Sequence, residues 1–316
     1  MNVKKNIVFI YIIGIFIIVA IIFGVYFYKS SSNENDVFII GMSQSNLYEP
    51  WRLNMNKEIE EEAKKHSNVK IIYKDAGGDT EKQKKDIQDL INFGADLLIV
   101  STNDSKQLTG AVKKAYESIP VIVLDRAVEG YDYTLYIGSD TKSIGVQAGE
   151  LVAELAGNNN AKVIEVQGML NSSSDEEITS GFKELISKYK NITIDRTIVA
   201  NWQKNEAQDK IEAILKEDKD VNIIFAHSDY MALGAYYAKV STKSNNVKII
   251  GIDGLEGREG GMELVKNGIL QGTFTCKTGG KEAVDYALKI LNKKEEVPKK
   301  IILECNKITK ESLKIN

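Results

Sequence analysis

A charged pair and two tryptophans stand where this chain could grip a small polar molecule. Asp125-Arg126 directly follows the apolar run PVIVL, so a carboxylate that accepts from hydroxyls lies beside a guanidinium that donates to neighbouring oxygens. Trp51-Arg52 follows the first apolar run by eight residues, and Trp202 follows ITIDRTIVA. These are the only two tryptophans, and both come just after such runs, which suits them to stack as walls against a ring. A monosaccharide presents a girdle of hydroxyls and a face of C–H bonds, so charged hydrogen-bonding groups and aromatic faces are what it needs.

Those residues need elements to position them. Nine short β-branched runs (VFIIGMS, VKIIYKDA, ADLLIVST, PVIVLD, TLYIGSD, AKVIEVQG, ITIDRTIVA, NIIFAHSD, VKIIGIDG) alternate with helical patterns, which predicts an α/β fold of parallel sheets buried on both faces. Asp79 before TEKQKKDIQDLINF and Gly94 after it give one helix an N-cap and a stop. Pro50 sits at a first helical turn and Pro120 opens a strand, where a missing N–H costs little. Length alone leaves one sheet or two open. In either case ligands bind beyond the carboxyl ends of the strands. Ser43 and Gln44, Asp125 and Arg126, Ser228 and Asp229, and Asp253 all stand at those ends. Any one of them alone would serve as a turn former or helix cap; their recurrence at one end points to a shared crevice.

Other chemistries find little support. The net charge of -3 gives no basic footprint for nucleic acid. An NAD-dependent enzyme is the alternative that βα repeats allow, but the first strand leads into GMSQSN and not into G-x-G-x-x-G. Ser, His and Asp come together only in AHSD, where strand neighbours point to opposite faces. The histidines, His66 and His227, are not at metal-ligand spacing from either cysteine, Cys276 or Cys305, so neither metal nor cofactor is expected.

The 22 residues from Ile7 to Tyr28 carry no charge, and at ~1.5 Å rise each they would span roughly 33 Å as a helix, enough for a bilayer. The stretch outlasts a signal-peptide core and ends in Tyr26, Phe27, Tyr28 and Lys29, without a small-x-small cleavage site. Lys4 and Lys5 place the N-terminus in the cytoplasm and everything after Lys29 outside. No cysteine near its end offers a lipid acceptor, so the helix itself is expected to be the anchor, with Ser30–Asn35 as a polar linker.

The stretches GMSQSNLYEPWR, PVIVLDR, KVIEVQG, IFAHSDYMALGA, IIGIDG, NGILQGTFTC and EEVPKKI resemble, in order from about Val37 to the C-terminus, the type I periplasmic binding proteins of the ribose and galactose class, especially the galactofuranose-binding subfamily. The resemblance implies two similar Rossmann-like lobes joined by three hinge crossings near Ser139 to Thr141, Cys276 to Thr278 and Leu303 to Cys305. It divides the chain into 1–35 (cytoplasmic tip, anchor and linker), 36–139 plus 277–304 (N-terminal lobe) and 140–276 plus 305–316 (C-terminal lobe). It implies ligand contacts at Ser43, Gln44, Trp51, Arg52, Asp125 and Arg126 on the first side. On the second it implies Trp202, Ser228, Asp229 and Asp253, with Cys276 near the hinge. The family's arginine three residues before the glycine of the G-F pair is Ile178 here, and asparagine is common where Ser228 stands. Those two departures bear on which sugar fits. A sugar-responsive repressor would carry a DNA-binding headpiece where this chain has its apolar segment. The implied partners are therefore an ABC permease that imports the sugar or a membrane sensor such as a histidine kinase.

Overall fold

Runs of valine, isoleucine and leucine can be buried on both faces only inside a sheet covered by helices on each side. In the computed structural model, which describes residues 37–293 and 295–314, they form two such sheets. The first takes β1 (Phe38–Gln44), β2 (Val69–Asp75), β3 (Leu97–Val100), β4 (Val121–Leu124) and β5 (Leu135–Ser139). The second takes β6 (Ala161–Gln167), β7 (Ile192–Val199), β8 (Ile223–Ala226), β9 (Lys248–Ile250) and β10 (Gly272–Phe274). Two last strands go one to each: β11 (Lys300–Leu303) lies parallel beside β5, and β12 (Lys307–Thr309) antiparallel beside β10. The orders are β11-β5-β4-β3-β1-β2 and β12-β10-β9-β8-β6-β7. Apart from β12, all pairings are parallel.

Among the described residues the helices are α1 (Pro50–Ala63), α2 (Thr80–Phe93), α3 (Ser105–Tyr116), α4 (Thr141–Ala156), α5 (Ser173–Ile186), α6 (Lys204–Glu217), α7 (Asp229–Ser241), α8 (Gly261–Lys266) and α9 (Gly280–Leu291). Asp79 caps α2 by accepting from Glu81 and Lys82 backbone N–H groups at 2.9 and 3.0 Å, and Gly94 ends it at φ 94°. Pro50 opens α1. Each sheet carries an apolar cluster on each face, and β3, β4 and β8 are buried throughout.

The chain passes between the lobes three times. β5 leads into α4 of the second lobe, β10 leads back to α9 of the first, and β11 leads on to β12 of the second. All three passages lie side by side. The apolar segment 7–28 and the linker 30–35 lie outside the described residues. Among the described residues, no helix is long and apolar enough to cross a membrane.

Candidate functional site

The carboxyl ends of the two sheets face one another across a cleft whose atom-free space, about 510 Å³, includes the open solvent at its mouth. Its far lip touches. Ser105, at the start of α3, donates its backbone N–H to the Asn171 carbonyl at 3.2 Å, and Ser173 N–H donates to Ser105 Oγ at 3.3 Å.

One wall is a buried charge network built from α1 and the end of β4. Arg52, on the first turn of α1, points back under the sheet end: Nη1 donates to Ser101 Oγ at 2.7 Å and to Gln44 Oε1 at 3.0 Å, and Nη2 to Asp125 Oδ2 at 3.1 Å. Glu49, just before α1, lies 3.3 Å from Arg52 Nε and 4.0 Å from Arg126 Nη2. Arg126 donates Nη1 to the Thr102 and Asn103 carbonyls, both at 3.3 Å. Both arginines are 1% exposed. Burial alone would weaken Arg52's hold on its proton, but Glu49 and Asp125 outweigh it and push the pKa up. For Arg126, burial and then the neighbouring Arg52 win over the same carboxylates and bring it down to about 10.

The opposite wall mixes aromatic and apolar surface with polar groups, Ser228 and Asp253 among them. Trp202 lies under the Arg126 guanidinium, 5.6 Å from carbon Cζ to the ring centre, with Ile178 and Ile252 beside it. Trp51 closes the hinge side, its indole N–H donating to the Cys276 carbonyl at 2.7 Å. Arg126 Nε and Trp202 Nε1 are buried donors with no hydrogen-bond partner in the protein, Arg126 Nε lying 3.8 Å from Asp125 Oδ2. A ligand oxygen reaching either one would satisfy a group that is otherwise costly to bury.

Three cleft residues hold left-handed backbones that side chains other than glycine seldom adopt: Asp125 at φ 72°, Trp202 at φ 61° and Asp253 at φ 124°. Such conformations cost on the order of 1–3 kcal/mol each and persist only where surrounding packing enforces them. At Asp125 the backbone is held on both sides: its N–H donates to the Ile137 carbonyl at 2.8 Å, and its carbonyl accepts from the Tyr136 hydroxyl at 2.8 Å.

The structure brings Trp51, Arg52, Asp125, Arg126, Trp202, Ser228, Asp253 and Cys276 to the cleft. It sets Ser43, Gln44 and Asp229 behind the walls. Ser43 Oγ accepts from Gln83 Nε2 at 3.3 Å, and Gln44 is held between Arg52 and Asn56. Asp229, the first residue of α7, turns inward to accept from Thr273 Oγ1 at 2.7 Å and Gly254 N–H at 2.8 Å. Ser228 lines the cleft but also caps α7, accepting from Met231 N–H at 3.1 Å. Burial raises Asp229 above the usual carboxylate range, and burial together with Asp229 raises Asp253 well above it.

Sequence reasoning missed Glu49 and His227. Glu49 sits in the same short motif as Trp51-Arg52 and could have been found by its spacing from them. His227 Nδ1 is 2.7 Å from Asp175 and Nε2 3.4 Å from Glu165. Burial would lower the imidazole, but the two carboxylates outweigh it and hold it at about 9, so it is an imidazolium at neutral pH. Away from the cleft, Glu62, His66 and Asp285 bring ligating atoms within 4.8 Å of one another between α1 and α9, although Lys65 already binds one Glu62 oxygen at 2.7 Å.

Residues 40–295 match the family described as periplasmic binding protein domain. The chain is 33% identical over 226 residues to the ribose import binding protein of Bacillus subtilis, covering 71% of this chain and 72% of that one. Among solved structures it is similar to the fructose-binding periplasmic domain of a hybrid two-component system, with a TM-score of 0.84 and 31% identity over 88% of this chain and 92% of that one. It is also similar to an ABC transporter solute-binding protein from Bacillus halodurans with bound myo-inositol, with a TM-score of 0.83 and 25% identity over 90% and 98% of the two chains.

Proposed function

Because this chain belongs to the periplasmic binding protein domain family, of the ribose and galactose class, we propose that its lobes close around a neutral monosaccharide outside the cytoplasm and present it to a membrane partner. Its homologues are substrate-binding proteins and not enzymes, which removes the dehydrogenase alternative. The observation that carries the sugar reading is the Arg52–Asp125–Arg126 network, facing Trp202 across a cleft in which Arg126 Nε and Trp202 Nε1 make no hydrogen bond to the protein. Charged groups on one side can bind hydroxyls while the indole covers C–H bonds.

In this reading the binding set is Trp51, Arg52, Asp125, Arg126, Trp202, Ser228, Asp253 and Cys276. Ser43, Gln44 and Asp229 hold that set in place. The lobes divide as 36–139 with 277–304 and 140–276 with 305–316. Residues 7–28 anchor the protein as a single-pass segment with the lobes outside. Relatives serve both an importer and a two-component system. An ABC permease or a sensor kinase is accordingly the partner, and a spanning helix able to touch a partner's helices favours the sensor.

The test is a thermal-shift and calorimetric screen of the full-length protein in detergent across aldopentoses, aldohexoses, ketohexoses and inositols. A sugar at ~100 times its dissociation constant should stabilise the protein by about 2.7 kcal/mol. Flat melting curves across the panel, with a ligand of another class found instead, would sink the sugar assignment.

A further inference from the structure

The two cysteines sit on two neighbouring hinge passages. β10 and β12 pair antiparallel as Gly272 with Thr309, Thr273 with Ile308, and Phe274 with Lys307. The pairing runs on past the strands: Thr275 N–H donates to the Asn306 carbonyl at 2.9 Å, and Asn306 N–H returns to Thr275 Oγ1 at 2.8 Å. One step further, the same register sets Cys276 opposite Cys305. Thr275 turns its backbone N–H toward Asn306, so this is the position of a hydrogen-bonded pair, with one of its two bonds taken by the Thr275 side chain, and the next pair is a non-hydrogen-bonded one. In agreement, the Cys276 N–H turns away to the Asp253 carbonyl at 3.1 Å.

Non-hydrogen-bonded antiparallel pairs bring Cα atoms to about 4.5 Å and Cβ atoms to about 4.5–5.5 Å, whereas a disulfide takes Cα separations of about 4.4–6.8 Å and Cβ separations of about 3.5–4.5 Å. Closing the bond asks for a small approach of two side chains. Both cysteines are free thiols, half-buried, and pack on the same apolar cluster of the C-terminal lobe. We infer that Cys276 and Cys305 are an oxidisable pair whose disulfide ties the second hinge passage to the third.

The two thiols are reached from different sides. Cys305 opens onto a surface hollow shared with Asp140 and Ser143, while Cys276 lines the ligand cleft. A small disulfide is the oxidant class required. The Cys305 thiolate attacks one of its sulfurs, the S–S bond breaks, and one small thiolate leaves. The Cys276 thiolate then attacks Cys305 Sγ and expels the second. The two protons given up by the protein thiols end on the two released thiols, so the small disulfide is reduced as the protein pair is oxidised. Burial pushes both protein thiols up, with the Ser139 hydroxyl of the first passage pulling the other way. The exchange is therefore slow at neutral pH and quickens as pH rises.

The experiment treats full-length protein in detergent with oxidised glutathione at mildly alkaline pH, quenches with an alkylating reagent, and reads intact mass and a non-reducing peptide map. Both alkylatable thiols should disappear together, giving a monomer lighter by two hydrogens and a peptide pair joined through positions 276 and 305; dithiothreitol should restore both. In Cys276→Ser the reaction should stop at a glutathione adduct on Cys305. A stable adduct on Cys305 of the unaltered protein with Cys276 still alkylatable, a disulfide-linked dimer, or retention of both thiols would each overturn the pairing. The map on the unaltered protein decides even if the variant fails to fold.

Discussion

Asp125 Oδ2 accepts from Arg52 Nη2 at 3.1 Å and lies 3.8 Å from Arg126 Nε, so one carboxylate serves two buried guanidiniums from different elements. The left-handed turn at Asp125 aims it there.

Asp125→Asn keeps the shape and tolerates that turn but removes the charge. A charged hydrogen bond contributes about 1.5–3 kcal/mol, so affinity for whichever sugar the screen selects should fall at least about tenfold. The empty protein should also melt earlier, because Arg52 and Arg126 then share Glu49 alone. Calorimetry and melting on the same sample check both, and unchanged affinity beside a stability loss would make Asp125 a structural residue only.

Gly168 lies against the Trp202 ring. A Cβ there would come 2.0 Å from Trp202 Cε2 and 2.1 Å from Cζ2, so Gly168→Ala must displace the indole. Overpacking of this kind costs about 1–3 kcal/mol. Tryptophan emission should shift and sugar affinity should drop; unaltered emission and affinity would show that Trp202 does not form the stacking wall.

His227 makes stability depend on pH. Its pKa is raised from 6.5 to about 9 in the fold, so its contribution is complete below 6.5 and lost as pH climbs through about 9. The groups facing it are Asp175, Glu165 and, through Glu165, Lys183, with the Phe225 ring alongside. The loss should be on the order of 1–3 kcal/mol. Denaturant unfolding of the unaltered protein and His227→Gln across this range should give different slopes, and parallel slopes would remove His227 as the cause.

Full-length protein should sediment with membranes and resist high-salt washing, and a chain lacking residues 7–28 should not. Uncleaved full-length chain in the soluble fraction would end the anchor proposal.

Inner strands such as β3, β4 and β8 are legible because burial on both faces leaves only apolar residues in them. β10 and β12, three residues each, have too little length to show a pattern, β11 at the sheet edge is only partly buried, and the antiparallel return of β12 follows from the hinge connection and not from its composition. That Asp125 and Arg126 line the cleft is legible in the sequence because they directly follow an apolar run and so stand at a strand's carboxyl end. The same logic reached Asp229 and could not see that its carboxylate turns away from the cleft to hold Thr273 and Gly254. Strand position says where a residue begins its loop, not which way its side chain leaves. The ion pairs of His227 are not legible in the sequence, because its partners, Asp175 and Glu165, come from α5 and β6, far off in the chain.

The lip of the cleft is fastened across Ser105 by two hydrogen bonds, to Asn171 and from Ser173, and bonds of that kind contribute only about 0.5–1.5 kcal/mol each. So slight a latch would let the empty protein exchange between open and shut forms, leaving a bound molecule's preference for the shut form to set the proportion. A partner that reads the shut form would then receive a graded report of outside concentration, and strengthening the latch would make that report louder in silence and less informative in the presence of sugar.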